Sequence, residues 1–344
     1  MDETKILVTG CAGFMGSHLV KTLIEMGYKN VYGVDDLSGG YMDNVDPKSF
    51  FTKLDLRNKE KTAAYIEEVK PELIFHLAAD ATEGRSQFTP LSCTERNYLA
   101  YLHLLIPAIK NGLKKMVLTS SMSIYGSQKT PFVEEMQRLP DDVYAISKSA
   151  MERATEILSK VHDFKYVIIR PHNVYGPGQN LADPYRNVIA IFINCLLNNK
   201  NFYIYGTGEQ KRAFSYIDDF TPYIIKAAFL KEAEGEIFNI GPVEETTINK
   251  LSEIVLKVFF NGGEVPQNLK PEYMPSRPME VKEAWCAVSK AQKILGYKTT
   301  VSLQEGIAKM IDWAKKKGPQ KFHYLDDLEL ITKETPSTWV KKLI

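Results

Sequence analysis

Tyr144 and Lys148, in Tyr144-Ala145-Ile146-Ser147-Lys148, are the pair of residues best suited to chemistry. The periodicity of Val143–Val161 predicts a helix, and residues four apart on a helix share a face. An ammonium beside a phenol lowers the phenol's pKa, so this tyrosine could exchange a proton with a substrate hydroxyl near neutral pH. Spacing alone does not single the pair out. Tyr125 and Lys129 are also four apart, but they straddle Gly126 in a loop reaching Pro131, and 18 tyrosines make chance pairs expected. Upstream, Thr119-Ser120-Ser121-Met122-Ser123 ends an apolar run. A hydroxyl at the carboxyl end of a parallel strand could touch the same substrate oxygen, although read by itself this Ser-rich strand end is a turn.

A second constellation opens the chain. Gly10-Cys11-Ala12-Gly13-Phe14-Met15-Gly16 lies between an apolar strand, Lys5–Thr9, and an amphipathic helix, Phe14–Met26. Glycines at that junction permit a tight turn and let backbone amides approach a pyrophosphate. Asp35 closes the second strand, where an acid can bond both hydroxyls of an adenosine ribose; the alternative is a turn cap. No Arg or Lys occurs in Asp36-Leu37-Ser38-Gly39-Gly40 to welcome a 2′-phosphate, so the expected cofactor is NAD. Asp55-Leu56 would border adenine, and Leu77-Ala78-Ala79 would leave room for the cofactor backbone.

These residues need a frame. Strands predicted at Lys5–Thr9, Val31–Val34, Phe51–Leu54, Leu73–His76, Met116–Thr119 and Lys165–Arg170 alternate with helices at Phe14–Met26, Lys59–Val69, Thr94–Asn111 and Val143–Val161. Such alternation implies an α/β, doubly wound parallel sheet of the Rossmann type. Pro171, Gly176, Pro177, Gly178 and Pro184 mark a break. The expectation is a dinucleotide-binding domain over 1–180, joined by elements near 215–240, and a smaller substrate lobe over 181–344. An extension, 318–344, holds Phe322, Tyr324, Leu325, Leu328, Leu330, Ile331 and Trp339, too many apolar residues for a free tail. It is expected to pack on the body or on a partner subunit.

Composition narrows the class. The 43 basic and 42 acidic side chains give a net charge of +1, unlike a general nucleic-acid binder. No apolar run approaches the roughly 20 residues of a membrane span. Met1–Lys5 lacks a signal-peptide layout, and four dispersed cysteines fit a reducing compartment, so a cytoplasmic location is expected. Neither the cysteines nor the six histidines have ligand spacing, and no metal is called for.

From about Lys5 to Lys316 the chain resembles the extended short-chain dehydrogenase/reductases, in particular the nucleotide-sugar epimerases, dehydratases and decarboxylases. The carrying motifs occur in family order. They are the glycine loop, Asp35-Asp36-Leu37, Asp55-Leu56-Arg57, His76-Leu77-Ala78-Ala79, Ser120–Gly126, Tyr144–Lys148, Arg170-Pro171-His172-Asn173-Val174-Tyr175-Gly176-Pro177, Tyr205–Gly208 through Arg212 to Asp218-Asp219, and Arg277-Pro278. The resemblance implies a catalytic set of Ser121, Tyr144 as acid/base, and Lys148 holding the nicotinamide ribose. It implies cofactor contacts from Gly10, Gly13, Phe14, Met15, Gly16, Asp35, Asp36, Leu37, Asp55, Leu56, Leu77, Ala78, Ala79, Asn97 and Pro171. It implies substrate contacts from Thr82, Ser121, Ser123 and Asn173, a diphosphate segment at Asn187 and Val188, and diphosphate arginines Arg212 and Arg277. A guanidinium suits that bidentate task better than an ammonium.

Departures from the family are informative. Its dehydratases carry Asp-Glu after the catalytic hydroxyl, where this chain has Met122 and Ser123. GDP-mannose 3,5-epimerase has an acid/base cysteine where this chain has Ser123. Asp80-Ala81-Thr82-Glu83-Gly84-Arg85, which faces the sugar in relatives, does not match UDP-galactose 4-epimerase closely. The expected reaction is NAD-dependent 4-epimerisation of a UDP- or GDP-linked sugar through a transient 4-keto form. The alternatives are 3,5-epimerisation, hexuronate decarboxylation, oxidation at C4, or a dinucleotide-sensing protein without activity. A homodimer is expected, because Leu99, Leu102, Leu105, Met151 and Ile157 spread apolar surface over the two helices that pair between subunits in the family.

Overall fold

A run that is apolar at all but its last position suits a strand covered on both faces. Ile6–Thr9 and Leu73–His76 are such runs and are buried throughout. The computed structural model describes residues 3–324 and 328–344. In it these runs are central strands of a seven-stranded sheet. The order is Ile237–Ile240, Lys165–Pro171, Lys115–Thr119, Leu73–His76, Ile6–Thr9, Val31–Asp35, Phe50–Lys53. Every neighbouring pair is parallel. This is the doubly wound α/β sheet, and its order reverses beside Ile6–Thr9. Chains leave the sheet there in opposite directions and open a crevice at the strands' carboxyl ends.

Two helices position the chemistry. Val143–His162 begins at Asp142, whose Oδ1 accepts the Ala145 amide at 2.7 Å, an N-cap that places Tyr144 in the first turn. The helical stretch expected over Thr94–Asn111 starts earlier. It runs as Pro90–Thr94, a π turn over Glu95–Leu99, and Ala100–Lys110. Its first amides, Leu91 and Ser92, donate to the Glu329 carboxylate at 2.8 and 2.7 Å. That cap lies far along the chain, out of reach of any local sequence signal. The π turn holds Asn97, whose side chain pairs with both the amide (3.0 Å) and the carbonyl (3.1 Å) of Asp80.

Past Pro171 the elements shorten. Val174–Tyr175 pairs with Ser215–Tyr216, Tyr203–Tyr205 with Glu272–Met274, and Lys211–Arg212 with both Thr246–Thr247 and Glu283–Ala284. The helix Thr221–Phe229 returns to pack on Phe14–Glu25. Helices Val188–Leu197, Ile248–Phe259 and Leu303–Lys317 pack against one another. The extension crosses both parts of the molecule. Phe322 and Trp339 are buried, and Trp339 meets Phe88 and Tyr185 edge-on at 5.8 and 5.2 Å. Thr338 hydrogen-bonds the Tyr205 hydroxyl, and the His323 amide donates to Ala182 at 2.8 Å. Leu330 and Ile331, expected to pack, are exposed. Leu325 lies outside the described residues.

Candidate active site

The glycine loop is tight for a steric reason. A Cβ on Gly16 would lie 2.1 Å from the Gly10 carbonyl oxygen, and one on Gly10, where φ is +70°, would lie 2.8 Å from the Ala78 nitrogen. The helix Phe14–Glu25 starts without a side-chain cap or an acid in its first turn, so its amides face the crevice unclaimed. Asp35 is buried at the next strand end, where Oδ2 accepts the Ala12 amide at 3.0 Å and Oδ1 the Leu37 amide at 2.8 Å. Burial raises its pKa, and those two amides oppose the rise. The cations absent from the following residues arrive from elsewhere. Arg96 approaches Asp36 at 3.6 Å and Ser38 at 3.4 Å, and Arg57 clasps Asp55 at 2.7 Å. Both guanidiniums are engaged by acids. The Thr119 hydroxyl lines the cleft and, among the described residues, is buried without a partner. These features fit a dinucleotide lying across the crevice.

Ser121, Tyr144 and Lys148 converge at its inner end, all three buried and all lining the cleft. The Ser121 hydroxyl stabilises the ionised Tyr144 phenol and accepts the Ser123 amide at 3.1 Å and the Ser123 hydroxyl at 2.9 Å. Lys148 donates to the Thr119 carbonyl at 2.8 Å, with its ammonium 5.7 Å from the centre of the Tyr144 ring. The expected depression of the phenol by Lys148 is absent here. Burial, followed by the Glu83 charge, pushes the Tyr144 pKa well above its ordinary value. Burial brings Lys148 down to about 8, opposed by Cys93 and Glu152. Tyr144 is therefore a protonated donor in this environment. A positive charge brought beside the phenol favours its ionised form.

A second cavity adjoins the first and shares with it Ala81, Glu83, Asn173, Gln179, Tyr185 and Arg186, among others. Val188, Ile189, Phe192 and Ile204 form its apolar floor, and Arg212 and Arg277 its cationic side. Arg277 stacks on Tyr205 at 4.7 Å and pairs with Glu280 at 2.9 Å. Arg212 donates to the carbonyls of Lys211 (2.8 Å) and Val281 (2.6 Å). Asn187 adopts the left-handed conformation before the helix Val188–Leu197 and makes no cap bond to it.

Most expected site residues line these two cavities. Gly10, Gly13, Phe14, Met15, Gly16, Asp35, Asp36, Asp55, Leu56, Leu77, Ala78, Ala79, Thr82 and Pro171 line the first. Asn173 and Asn187 line both, while Val188, Arg212 and Arg277 line the second. Three differ. Ser123 turns back onto Ser121, Leu37 donates its amide to Asp35, and Asn97 braces Asp80 from behind; none of them lines either cavity. Other residues carry no sequence signal for a site. Thr338, Trp339 and Ile344 of the extension line the second cavity, and His323 the first. Glu83 also stood unassigned, although its segment was noted. Asp142, with a pKa raised to about 7 by burial and by Glu83, caps the helix that carries Tyr144 and lines neither cavity.

The doubly wound sheet, the uncapped glycine-rich turn and the Ser121–Tyr144–Lys148 convergence define a dinucleotide-dependent enzyme. The model of the NAD dependent epimerase/dehydratase family matches residues 6–241. The chain is 34% identical over 322 residues to a UDP-glucose 4-epimerase of Mycolicibacterium smegmatis, covering 91% of this chain and 99% of that one. It is 30% identical to a UDP-glucuronate 4-epimerase of Thermodesulfobacterium geofontis, covering 90% and 96%. Among solved structures it is similar to a UDP-glucose 4-epimerase with UDP-glucose from Thermotoga maritima. That match has 33% identity, a TM-score of 0.84, and covers 91% of this chain and 99% of that one. The chain belongs to the NAD dependent epimerase/dehydratase family, and its cofactor is NAD.

Proposed function

We propose that this chain inverts C4 of a nucleotide-linked sugar through a transient 4-keto form. The carrying observation is the convergence of Ser121, Tyr144 and Lys148 in the first cavity, which shares Glu83 and Asn173 with the arginine-lined second one. NAD bound in the crevice supplies reversible hydride acceptance. The chain's residues do the remaining work. Tyr144 holds and moves the proton of the C4 hydroxyl, and Ser121 shares the same oxygen. Lys148 binds the ribose next to the reacting centre. Arg212 and Arg277 clasp the diphosphate, while Asn173, Asn187 and Val188 hold the sugar–phosphate segment. The glycine loop and Asp35 hold the cofactor, and replacing Asp35 with Ala is expected to shrink the preference for NAD over NADP about tenfold, read by calorimetry.

Loss of water across C5 and C6 needs an acid and a base beside Ser121, and Met122 and Ser123 supply neither. The expected product therefore has unchanged mass, is inverted at C4, and takes up no deuterium at C5 in heavy water. A product lighter by water or carbon dioxide would overturn the reading, and deuterium at C3 or C5 would move it to 3,5-epimerisation.

We further propose a cytoplasmic homodimer. Leu105 and Met151 prove to be core residues of their own chain, but Leu99 and Ile157 stay exposed, with Leu91, Ile106 and Val161 on the same two helices. Those helices touch through Tyr101 and Thr155. A second copy covering them makes an isologous contact, and a monomer in light scattering at micromolar concentration would refute it.

A further inference from the structure

The reading above puts a reacting sugar between two ends, Ser121 with Tyr144 on one side and Arg212 with Arg277 on the other. Among the described residues, Glu83 is the one acidic side chain lining both cavities, so it stands where the ring must lie. It begins the short helix Glu83–Ser86 and is accessible from the cleft, with protein around it on the remaining sides. Burial raises its pKa, and the charges of Arg212 and Arg277 and the Ser121 hydroxyl oppose the rise.

Its position is set by a braced loop. Arg85 pairs with Asp80 at 2.6 Å, both buried, and lies over the Tyr185 ring at 5.0 Å. Thr82 donates to Asp80 at 2.5 Å, and Asn97 pins the Asp80 backbone. Trp339 of the extension closes the outer side, 3.9 Å from where a Gly84 Cβ would lie. The loop's other acid and its arginine thus neutralise each other, while Glu83 has no salt-bridge partner among the described residues.

Charge accounting then separates substrates. A nucleoside diphosphate brings two negative charges to Arg212 and Arg277, and Glu280 already draws on Arg277. Arg186, the cation shared by both cavities, is taken by Asp183 at 2.8 Å. Among the described residues that line both cavities, no cation is left unengaged for an acid on the ring. We propose, building on the nucleotide-sugar reading, that Glu83 is a specificity-determining residue. It accepts a hydrogen bond from a neutral or amine-bearing sugar and rejects nucleotide hexuronates by like-charge repulsion.

The test is calorimetry on NAD-loaded Tyr144→Phe protein, which separates binding from turnover, using UDP-glucose, UDP-glucuronate and UDP. Expected is UDP-glucose binding on the order of 100-fold tighter than UDP-glucuronate, the scale of two like charges held a few ångströms apart inside a cleft. Adding Glu83→Gln, with NAD retention as the check on folding, is expected to shrink that ratio at least about tenfold, and Glu83→Ala to do the same. UDP bound but both sugars bound equally, or a ratio indifferent to Glu83, overturns this assignment and leaves the nucleotide-sugar reading standing. Failure to bind either UDP or GDP overturns both. Discrimination without C4 inversion of any neutral nucleotide-sugar by the unsubstituted protein supports the assignment and removes the epimerase reading.

Discussion

The helix Val143–His162 carries two clusters built from similar parts. At its start, Tyr144 and Lys148 meet Ser121 and Glu83. One turn beyond Lys148, Glu152 meets Arg170, Arg138 and, through Arg170, Tyr125. In the second cluster every strong group is answered. Arg170 donates to both Glu152 oxygens at 2.9 and 2.7 Å, and Arg138 adds a bond at 2.7 Å. Arg170 also donates to the Tyr125 hydroxyl at 2.6 Å, which in turn donates to the Asn239 side-chain carbonyl at 2.8 Å. A saturated network is structural: no proton in it has a reason to move. In the first cluster the Tyr144 phenol and the Glu83 carboxylate face a cleft, and their pKa values are pushed up by burial without full compensation. Unmet demand at a cleft, and not the residue types themselves, separates chemistry from scaffolding.

Substitutions can break that comparison. The largest effect is expected from Tyr144→Phe, a loss of turnover of roughly 10²–10⁴-fold with NAD retained, measured by steady-state rates and cofactor copurification. Arg170→Met strikes the saturated cluster and leaves Glu152 a buried, half-paired charge. It is expected to cost about 3–5 kcal/mol of stability in urea unfolding. Tyr125→Phe is the contrast to Tyr144→Phe. It orphans one Asn239 acceptor and one Arg170 donor, for about 1–3 kcal/mol of stability, while kcat stays within about twofold.

The smallest effect concerns the floor of the Tyr144–Lys148 cluster. His76 is buried, bonded to Thr9 at 2.9 Å, and held down to about 3 by burial and then by the Lys148 charge. A histidine depressed in the folded state contributes stability present above its unfolded value near 6.5 and lost as pH falls toward 3. Between pH 7.5 and 5.5 the native protein is therefore expected to lose roughly 1 kcal/mol that His76→Gln does not lose, compared by urea midpoints at the two values. An unchanged gap would show that His76 titrates alike in both states.

Tyr125 and Lys129 have the same spacing as Tyr144 and Lys148, and local context alone told them apart. Gly126 and Pro131 forbid a helix at the first pair, while a long amphipathic run demands one at the second. The glycine turn, Asp35, the strand ends and the order of strands and helices were legible for the same reason. They depend on backbone sterics and on periodicity, which act between residues close in the chain. The family-wide diphosphate arginines followed from resemblance, since one arginine in a sequence looks like another.

What local sequence could not reach was decided by groups brought together from far apart. Arg96 reaches Asp36, and Glu329 caps the helix at Pro90. Trp339 walls the second cavity, and Ser123 turns from the cleft onto Ser121. Most consequential are the states of Tyr144 and Glu83. A phenol's acidity depends on burial and on the charges facing it, and the facing carboxylate comes from another strand end. Sequence determined which residues stand near the cleft, because spacing and backbone geometry are local. Tertiary structure decided how each is charged and which of them line the cleft, because desolvation and Coulomb interactions depend on distance in space.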